Sequence, residues 1–370
     1  MMLQDVIGQH SIKQSLLQLV ESERLPHAML LLGPEGAGGL PLAIGFGQYL
    51  LCTDRQPDGP CGRCSNCLKS EKLIHPDLHF SFPTVGSKVT SDQLLSEWRT
   101  TLQAQPYMGL NDWMQVLGGE NKQGNINKEE CNRIIRSLSF KTFEGAYKVL
   151  IMWMPELLGK EGNRLLKLIE EPPPQTVIIL VAEQAELILN TILSRCQMIK
   201  FRGIQDTDIA AGLVRQKGLA EQDAMMLAQL ADGSFQEAIH LAENAQSDQA
   251  EQFIQWLRHC YQGNGPTLVQ DAERLADLGR ESLKHFMLYG LHFLQELFHL
   301  QVAGDQMIRL RPAEQKVAQN MQKVIGFEQL QKMVSLLNDA YHHITRNAHP
   351  KLLLLNMGIS IHKILRYSNR

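Results

Sequence analysis

The stretch AMLLLGPEGAGGL, residues 28–40, joins an apolar run of strand length to a glycine-rich turn and the start of a helix. Gly33 and Gly38 have the spacing of the phosphate-binding consensus GxxxxGK[ST], whose backbone N–H groups cradle phosphates. The consensus Lys, which reaches the β- and γ-phosphates, is replaced by Gly39, and the Mg²⁺-binding Ser or Thr by Leu40. A plain glycine-rich turn is the alternative, but the strand–loop–helix context favours a nucleotide-type domain that has lost hydrolysis.

Composition indicates an ordinary soluble globular protein of two or three domains. The chain has 370 residues, is 44% hydrophobic and 20% charged, and carries a net charge of −3. A charge near zero argues against a globally basic nucleic-acid surface and leaves room only for a local basic patch. Residues 1–9 lack the apolar core of a signal peptide, and polar residues interrupt the Leu- and Phe-rich stretch 283–300. We therefore expect a cytoplasmic protein with no membrane partner.

The first ~200 residues alternate strand and helix patterns, which predicts a mostly parallel sheet with helices on both faces. The predicted strands are 28–33, 77–82, 148–153, 177–183 and 197–201. The predicted helices between them are 12–22, 42–51, 128–139 and 161–170. Asn127 is a candidate N-cap with Glu130 three residues later, as in a capping box. Residues 83–126 form an unusually long connector, which we call the insert and expect to be functional or flexible.

Beyond residue 202 the strand patterns stop and helical periods follow. They cover 206–216, 221–231, 235–242, 281–301, 327–346 and 351–365. These patterns predict three domains: an α/β domain at 1–203 with a cysteine module at 52–67, a small helical domain at 204–262, and an all-α domain at 263–370.

Four cysteines form a tight cluster with the spacing C-x8-C-x2-C-x2-C. They are Cys52, Cys61, Cys64 and Cys67. Such a run can present four thiolates to one tetrahedral Zn²⁺, which leaves no open position for catalysis, so we predict a structural zinc site. A redox pair at Cys61 and Cys64 is the alternative, but it explains only two of the four cysteines. His75 is close enough to substitute as a ligand, but we interpret it as a core or surface histidine. Cys131 and Cys260 lie in helical patterns and are expected to be buried.

Several segments resemble the AAA+ clamp-loader subunits of bacteria, and the resemblance extends over about the whole chain. The resembling segments are 26–36 at the phosphate loop, the four-cysteine module, 144–149 before the third strand, LLKLIEEPP at 165–173, ILSRC at 192–196 and RNAHPKL at 346–352. The resemblance implies an AAA+ parallel sheet, a helical lid at 204–262 and a helical collar at 263–370 that joins subunits into a ring. The insert departs from the commonest form of the family.

The resemblance also implies that this chain lacks several parts of the family's ATPase site. The Walker B acidic residues are replaced by Trp153 and Met154, and Glu156 comes two positions too late. The sensor-1 position offers Ala182 and Glu183, and the sensor-2 arginine is replaced by Gln236. Together with Gly39 and Leu40, these losses predict no ATP hydrolysis by this chain. They also argue against ATP binding, although the sequence leaves open whether any nucleotide binds.

Arg195, within the SRC segment, is implied by the resemblance to act as an arginine finger on a neighbouring subunit. The alternative is a structural salt bridge.

The implied partners are other clamp-loader subunits, the sliding clamp and, through the assembly, primed DNA. Two other functions are alternatives. One is an atypical active DNA-dependent ATPase, which Gly39 and Leu40 oppose. The other is a zinc-containing nucleic-acid adaptor, which acidic residues around the cysteines oppose.

Overall fold

Five parallel strands form one sheet, as the alternating pattern predicts. In a computed structural model of the chain they are β1 Ala28–Leu32, β2 Leu78–Ser81, β3 Lys148–Trp153, β4 Thr176–Ala182 and β5 Gln197–Lys200. Their spatial order is β2-β3-β4-β1-β5, and every pairing is parallel. The predicted α/β class is confirmed, and each predicted strand end lies within one residue of the observed one.

The structure describes residues 2–119, 123–244, 249–303, 310, 312–345 and 348–367. Up to residue 230 the α-helices are α1 His10–Glu21, α2 Gly39–Leu51, α3 Ser65–Glu71, α4 Leu95–Ala104, α5 Leu110–Val116, α6 Lys128–Ser139, α7 Leu166–Glu170, α8 Asn190–Leu193, α9 Asp206–Lys217 and α10 Glu221–Leu230. They are followed by α11 Phe235–Asn244, α12 Gln249–Gln262, α13 Gly265–Ala276, α14 Arg280–Ala303, α15 Pro312–Met321, α16 Phe327–Thr345 and α17 Pro350–Tyr367. Four 3-10 helices lie at Leu3–Asp5, Ser91–Leu94, Pro155–Leu165 and Ala185–Leu187.

Helices cover both faces of the sheet. Alternate apolar side chains of the buried strands point to opposite sides, so each face needs a packing partner. On one face Leu30, Leu150 and Ile178 pack with apolar residues of α6, α7 and α8. On the other face α2 lies close to the sheet, and a Cβ on Gly47 would be 3.4 Å from Ile151. Nearly every residue of α2 is buried. The phosphate-loop helix is therefore the central helix of this face.

Two local predictions are corrected by the structure. In the predicted helix at 161–170, the α-helix begins only at Leu166. The residues before it belong to the 3-10 helix Pro155–Leu165, which is kinked at Gly159, where φ is +50°. Asn127 caps α6, its Oδ1 accepting from the N–H of Glu130 at 3.0 Å. The Glu130 carboxylate does not close a capping box, because it accepts from the N–H of Ser91 at 2.9 Å and pairs with Arg133.

The insert is an ordered layer over its described residues rather than a loose loop. Its two ends are joined by a pair of backbone hydrogen bonds between Thr84 and Asn125, with N···O distances of 2.9 and 3.0 Å. Helices α4 and α5 contribute Trp98 and Trp113, which are fully buried. Residues 120–122, within its Gly- and Asn-rich end, lie outside the described part of the chain.

The described chain divides into two compact units, residues 1–239 and 240–370. Helix α12 supplies Phe253, Trp256 and Leu257 to the core of the second unit, together with α13, α14, α16 and α17. The functional division into 1–203, 204–262 and 263–370 stays a prediction.

Among the described residues, every helix is too short or too polar to cross a bilayer. The resembling segment 346–352 is described only from residue 348.

Candidate functional site: a filled phosphate loop, an arginine and a four-cysteine cluster

The phosphate loop has the backbone of its consensus but a different side chain in the space for the lysine. Gly38 adopts a left-handed conformation with φ +95°, and α2 begins at Gly39. The ring of Phe201, directly after β5, packs on the loop: a Cβ on Gly33 would lie 2.3 Å from it, and one on Gly39 2.9 Å. A lysine at position 39 would therefore have to displace this ring. Leu40 is buried.

The end of β3 is apolar where a nucleotide-hydrolysing site needs carboxylates. Trp153 is the last residue of β3, and its ring centroid lies 5.4 Å from that of Trp98 in the insert. Trp98 stacks on Phe82 at 4.0 Å and meets Trp113 edge-to-face at 5.1 Å. Met154 follows in a left-handed conformation, with φ +58°. The Walker B position thus belongs to an aromatic cluster that the insert completes.

The carboxylates nearest to the loop do not form a metal-binding pattern. Glu156 accepts from the backbone N–H groups of Glu183 and Gln184, at 2.6 and 2.9 Å, so it shapes the turn after β4. Burial, and then the nearby carboxylates of Glu35 and Glu156, raise the pKa of Glu183 to about 8. In the metal-free site the protonated form of Glu183 is therefore favoured near neutral pH.

The residues at the sensor-2 position contact the insert instead of reaching into an open site. The amide Nε2 of Gln236 donates to Oδ2 of Asp112 at 2.6 Å. Tyr107 and Met108 line the cavity at the phosphate loop together with Gly33, Gly38 and Glu183. That cavity measures about 30 Å³, compared with the ~300 Å³ or more of typical small-molecule pockets.

Arg195 lies on the surface of the first unit, between α8 and β5, with a third of its side chain exposed. Its Nε donates to Oε2 of Glu170 at 3.0 Å, and its Nη1 donates to the carbonyl of Thr191 at 3.0 Å. Nη1 also lies 3.4 Å from Oγ of Ser194. Within the described residues, the two N–H groups of Nη2 have no hydrogen-bond partner. Part of the guanidinium fork is thus available to an external anion.

The four predicted cysteines converge on one point. Their sulfur atoms all lie within 4.8 Å of one another, with 3.9 Å between Cys61 and Cys67 and 4.0 Å between Cys52 and Cys64. Four thiolates bound to one Zn²⁺ at ~2.3 Å would have sulfur–sulfur distances of about 3.8 Å. The donor set and its spacing therefore fit a tetrahedral metal ion.

Backbone N–H groups point at the sulfur atoms of the cluster, while burial raises the pKa values of Cys52 and Cys67 in the absence of metal. The N–H groups of Cys61, Cys64 and Cys67 each point at a cluster sulfur 3.4 Å away. Burial raises the pKa of Cys64, but hydrogen bonds from Thr53 and Cys67 outweigh it and lower that pKa to about 6. Gly62 turns the chain between the ligands with φ +70°, a conformation that favours glycine.

The remaining predicted histidine and cysteines are structural. His75 is buried and lies outside the cysteine cluster; its Nδ1 accepts from the N–H of Asp77 at 3.1 Å. Burial lowers the pKa of His75. Cys131 and Cys260 are fully buried, as predicted.

Two residues that pack against the phosphate loop, Tyr107 and Phe201, were missed by reasoning from the sequence. Their signal is indirect. An insert with Trp98, Tyr107 and Trp113 is too aromatic for an exposed loop, and it occurs in a chain whose phosphate loop lacks its lysine. Aromatic side chains in such a connector indicate that it packs on the domain.

Comparisons with known proteins identify the family of the chain. The family described as "DNA polymerase III, delta subunit" matches residues 8–205, more than half of the chain. The chain is similar to DNA polymerase III subunit delta' of Bacillus subtilis, 27% identical over 64% of this chain and 60% of that protein. It is also similar to subunit tau/gamma of Haemophilus influenzae, 24% identical over 74% of this chain and 37% of that protein. The chain thus spans less than two thirds of the length of either relative.

A solved structure with extensive coverage is a gamma-subunit-related protein of Thermotoga maritima. It covers 95% of this chain and 99% of its own, with 14% sequence identity and a TM-score of 0.39. The family match rests on the segment that carries the phosphate loop, the cysteine cluster, the insert and Arg195. The chain belongs to the DNA polymerase III delta-subunit family of clamp-loader proteins.

Proposed function

We propose that this chain is the delta-prime-like, non-hydrolysing subunit of a replicative clamp loader in the cytoplasm. In this role it joins the ATPase and clamp-opening subunits and helps to load the sliding clamp on primed DNA. Its own contribution to chemistry is Arg195, which reaches the γ-phosphate bound by a neighbouring ATPase subunit. Family membership and the local geometry support this proposal.

The observation that carries the proposal is the contrast between two sites on one domain. Phe201 and Tyr107 fill the phosphate loop, and Trp153 replaces a carboxylate at the end of β3. Arg195, in contrast, is part-exposed and has two N–H donors without a partner among the described residues. A guanidinium at a domain surface can stabilise charge that develops on a neighbour's phosphate. The domain therefore keeps an arginine that can act on a neighbouring subunit, and it lacks the residues needed to hydrolyse ATP at its own phosphate loop.

We also propose that Zn²⁺ is bound at Cys52, Cys61, Cys64 and Cys67. When bound, the ion would cross-link the end of α2 to the start of α3. Four thiolates close the coordination sphere, so its contribution is to stability. Two hydrogen bonds continue this link, from Gln48 to the carbonyl of Cys67 at 3.2 Å and from Asn66 to that of Leu51 at 2.9 Å.

A reconstitution tests the proposal. The purified chain is mixed with ATPase and clamp-opening subunits of a clamp loader from the same cells, and then with clamp and primed DNA. We expect stoichiometric assembly and clamp-stimulated ATP turnover, with no turnover by the chain alone. An active DNA-dependent ATPase would hydrolyse ATP alone, and a nucleic-acid adaptor would bind DNA without assembling.

A further inference from the structure

We propose that residues 106–112 of the insert are a built-in occupant of the nucleotide site. They join the phosphate loop to the sensor-2 helix α11, a role that the bound nucleotide has in ATPases of this fold. The segment is part of the chain, so it is always present beside the site, and it holds the two parts through hydrogen bonds and side-chain packing. It would keep the two parts of the first unit in one arrangement whether or not nucleotide is present in the cell.

Tyr107 makes the central contacts of this segment. It is 4% exposed, and its hydroxyl oxygen accepts from the backbone N–H of Ile7 at 2.7 Å. On one side its ring lies against the phosphate loop, where a Cβ on Gly38 would be 3.2 Å from Cε1. On the other side it meets Phe235 of α11 edge-to-face, with 4.9 Å between ring centroids. One side chain thus contacts the N-terminal segment, the loop and the sensor-2 helix.

Gly109 and Asp112 continue the connection. A Cβ on Gly109 would lie 2.0 Å from Oε1 of Glu35 and 2.6 Å from Nε2 of Gln236, so the insert backbone passes tightly between these two side chains. Oδ2 of Asp112 accepts from the N–H of Gly109 at 2.9 Å and from Nε2 of Gln236 at 2.6 Å. The phosphate loop and α11 are therefore linked to the same short segment.

The loop and α11 also touch directly where the insert brings them together. The N–H of Phe235 donates to the carbonyl of Gly36 at 2.9 Å, and a Cβ on Gly36 would lie 2.0 Å from Oγ of Ser234. On either side of residues 106–112 the insert is fixed by the buried rings of Trp98 and Trp113, and its two ends are joined between Thr84 and Asn125. Because both ends of the insert are anchored, its occupancy of the site is an intramolecular equilibrium that favours the closed arrangement.

Hydrogen exchange of the full chain tests this inference without partner subunits. Tyr107→Phe removes one hydroxyl and leaves the N–H of Ile7 buried without its acceptor, and Asp112→Ala removes the acceptor of Gln236. Since local opening sets exchange rates, we expect at least ~10-fold faster exchange at 34–38 and 234–238 in both variants. Tyr49→Phe, the same chemical change at the far end of α2, should leave these segments unchanged. Equal exchange in all four proteins would overturn the inference.

A rescue experiment checks that the ring itself is the occupant. Tyr107→Ala should lower the melting temperature, and p-cresol, the Tyr side chain as a free molecule, should restore a measurable part of the loss. Tyr261→Ala, at a tyrosine that is 39% exposed and would leave no closed cavity, is the control and should show no restoration with p-cresol. If Tyr107→Ala does not fold, the exchange data on the two milder variants decide. Saturable binding of mant-ATP to the wild-type chain would also overturn the inference, and it would leave the proposed role of Arg195 untouched.

Discussion

Arg195 donates from Nε to Oε2 of Glu170 at 3.0 Å, across the gap between the EEPP segment and the SRC segment. The Glu170 side chain is 56% exposed, so solvent screens the pair. Exposed pairs of this kind are typically worth about 0–1 kcal/mol. Such a pair orients the guanidinium and adds little to the stability of the fold. It also supplies a matched control, because either side chain can be removed to break the same ion pair.

Zinc removal should loosen one segment of the first unit. We expect about one Zn²⁺ per chain by elemental analysis, and Cys64→Ser should lower that content and speed proteolysis between residues 51 and 68. The sheet should keep its far-ultraviolet circular dichroism, since its strands lie elsewhere. Ser65→Ala, next to the ligand, is the control and should keep the metal. A metal-free folded chain with four reactive thiols would contradict the prediction.

Restoring the phosphate-loop lysine should not restore hydrolysis. In Gly39→Lys the new side chain meets the ring of Phe201 and Val181, at 2.9 and 3.0 Å from the first added carbon. Overpacking of this kind typically costs about 1–3 kcal/mol of stability. The double variant Gly39→Lys/Phe201→Ala relieves the contact and should still show no Mg²⁺-dependent turnover, because Trp153 offers no carboxylate. Turnover above the wild-type background in either variant would contradict this prediction.

Glu183 gives the first unit a defined pH dependence. Its pKa rises from an ordinary value of 4.5 to about 8 on folding, first through burial. The folded chain therefore holds this proton more tightly than the unfolded chain, and stability falls as pH rises from about 4.5 to about 8. Glu183→Gln removes that loss. Its melting temperature should exceed that of the wild type by a few degrees at pH 8 and by less at pH 5.

The matched control for this pH effect is Glu186→Gln, an exposed residue in the following 3-10 helix. It should show the same difference from the wild type at both pH values. A Glu183→Gln advantage that is equal at pH 5 and pH 8 would show that Glu183 is already ionised in the folded protein.

The C-terminal unit should carry assembly. Truncation after Asn244, the last residue of α11, removes the second unit except for residues 240–244 and keeps every element of the first. The shortened chain should fold, bind zinc and fail to enter the clamp-loader complex. Truncation after Gln262 is the comparison: it keeps α12 and exposes Phe253 and Trp256, so it should aggregate. Stoichiometric assembly of the 244-residue chain would contradict a collar role for the second unit.

The sequence predicted the sheet well and the filling of its nucleotide site poorly. β3 and β4 are mostly apolar runs bounded by turns. Strands that are buried on both faces need such runs, so the pattern predicts them directly. The cysteine cluster was predictable because metal ligands are set by short spacings. Tyr107 reaches Ile7 across a hundred residues, so no local pattern reveals the contact. The insert was correctly singled out by its length, but its packing depends on tertiary contacts alone.

The most direct test of the account is the ATPase rate of the reconstituted clamp loader containing this chain with Arg195→Ala, Arg195→Lys or Glu170→Ala. An arginine finger can be worth ~10³-fold or more at its own site, although neighbouring subunits that use their own arginines can mask part of the loss. We expect Arg195→Ala to assemble normally and to lower clamp-stimulated turnover strongly. Lys should rescue little, because a point charge lacks the planar fork. Glu170→Ala, which breaks the same ion pair, should remain close to the wild type. If Arg195→Ala and Glu170→Ala have equal effects, or if Arg195→Ala loads clamps at the wild-type rate, Arg195 is a structural anchor and the central claim is wrong.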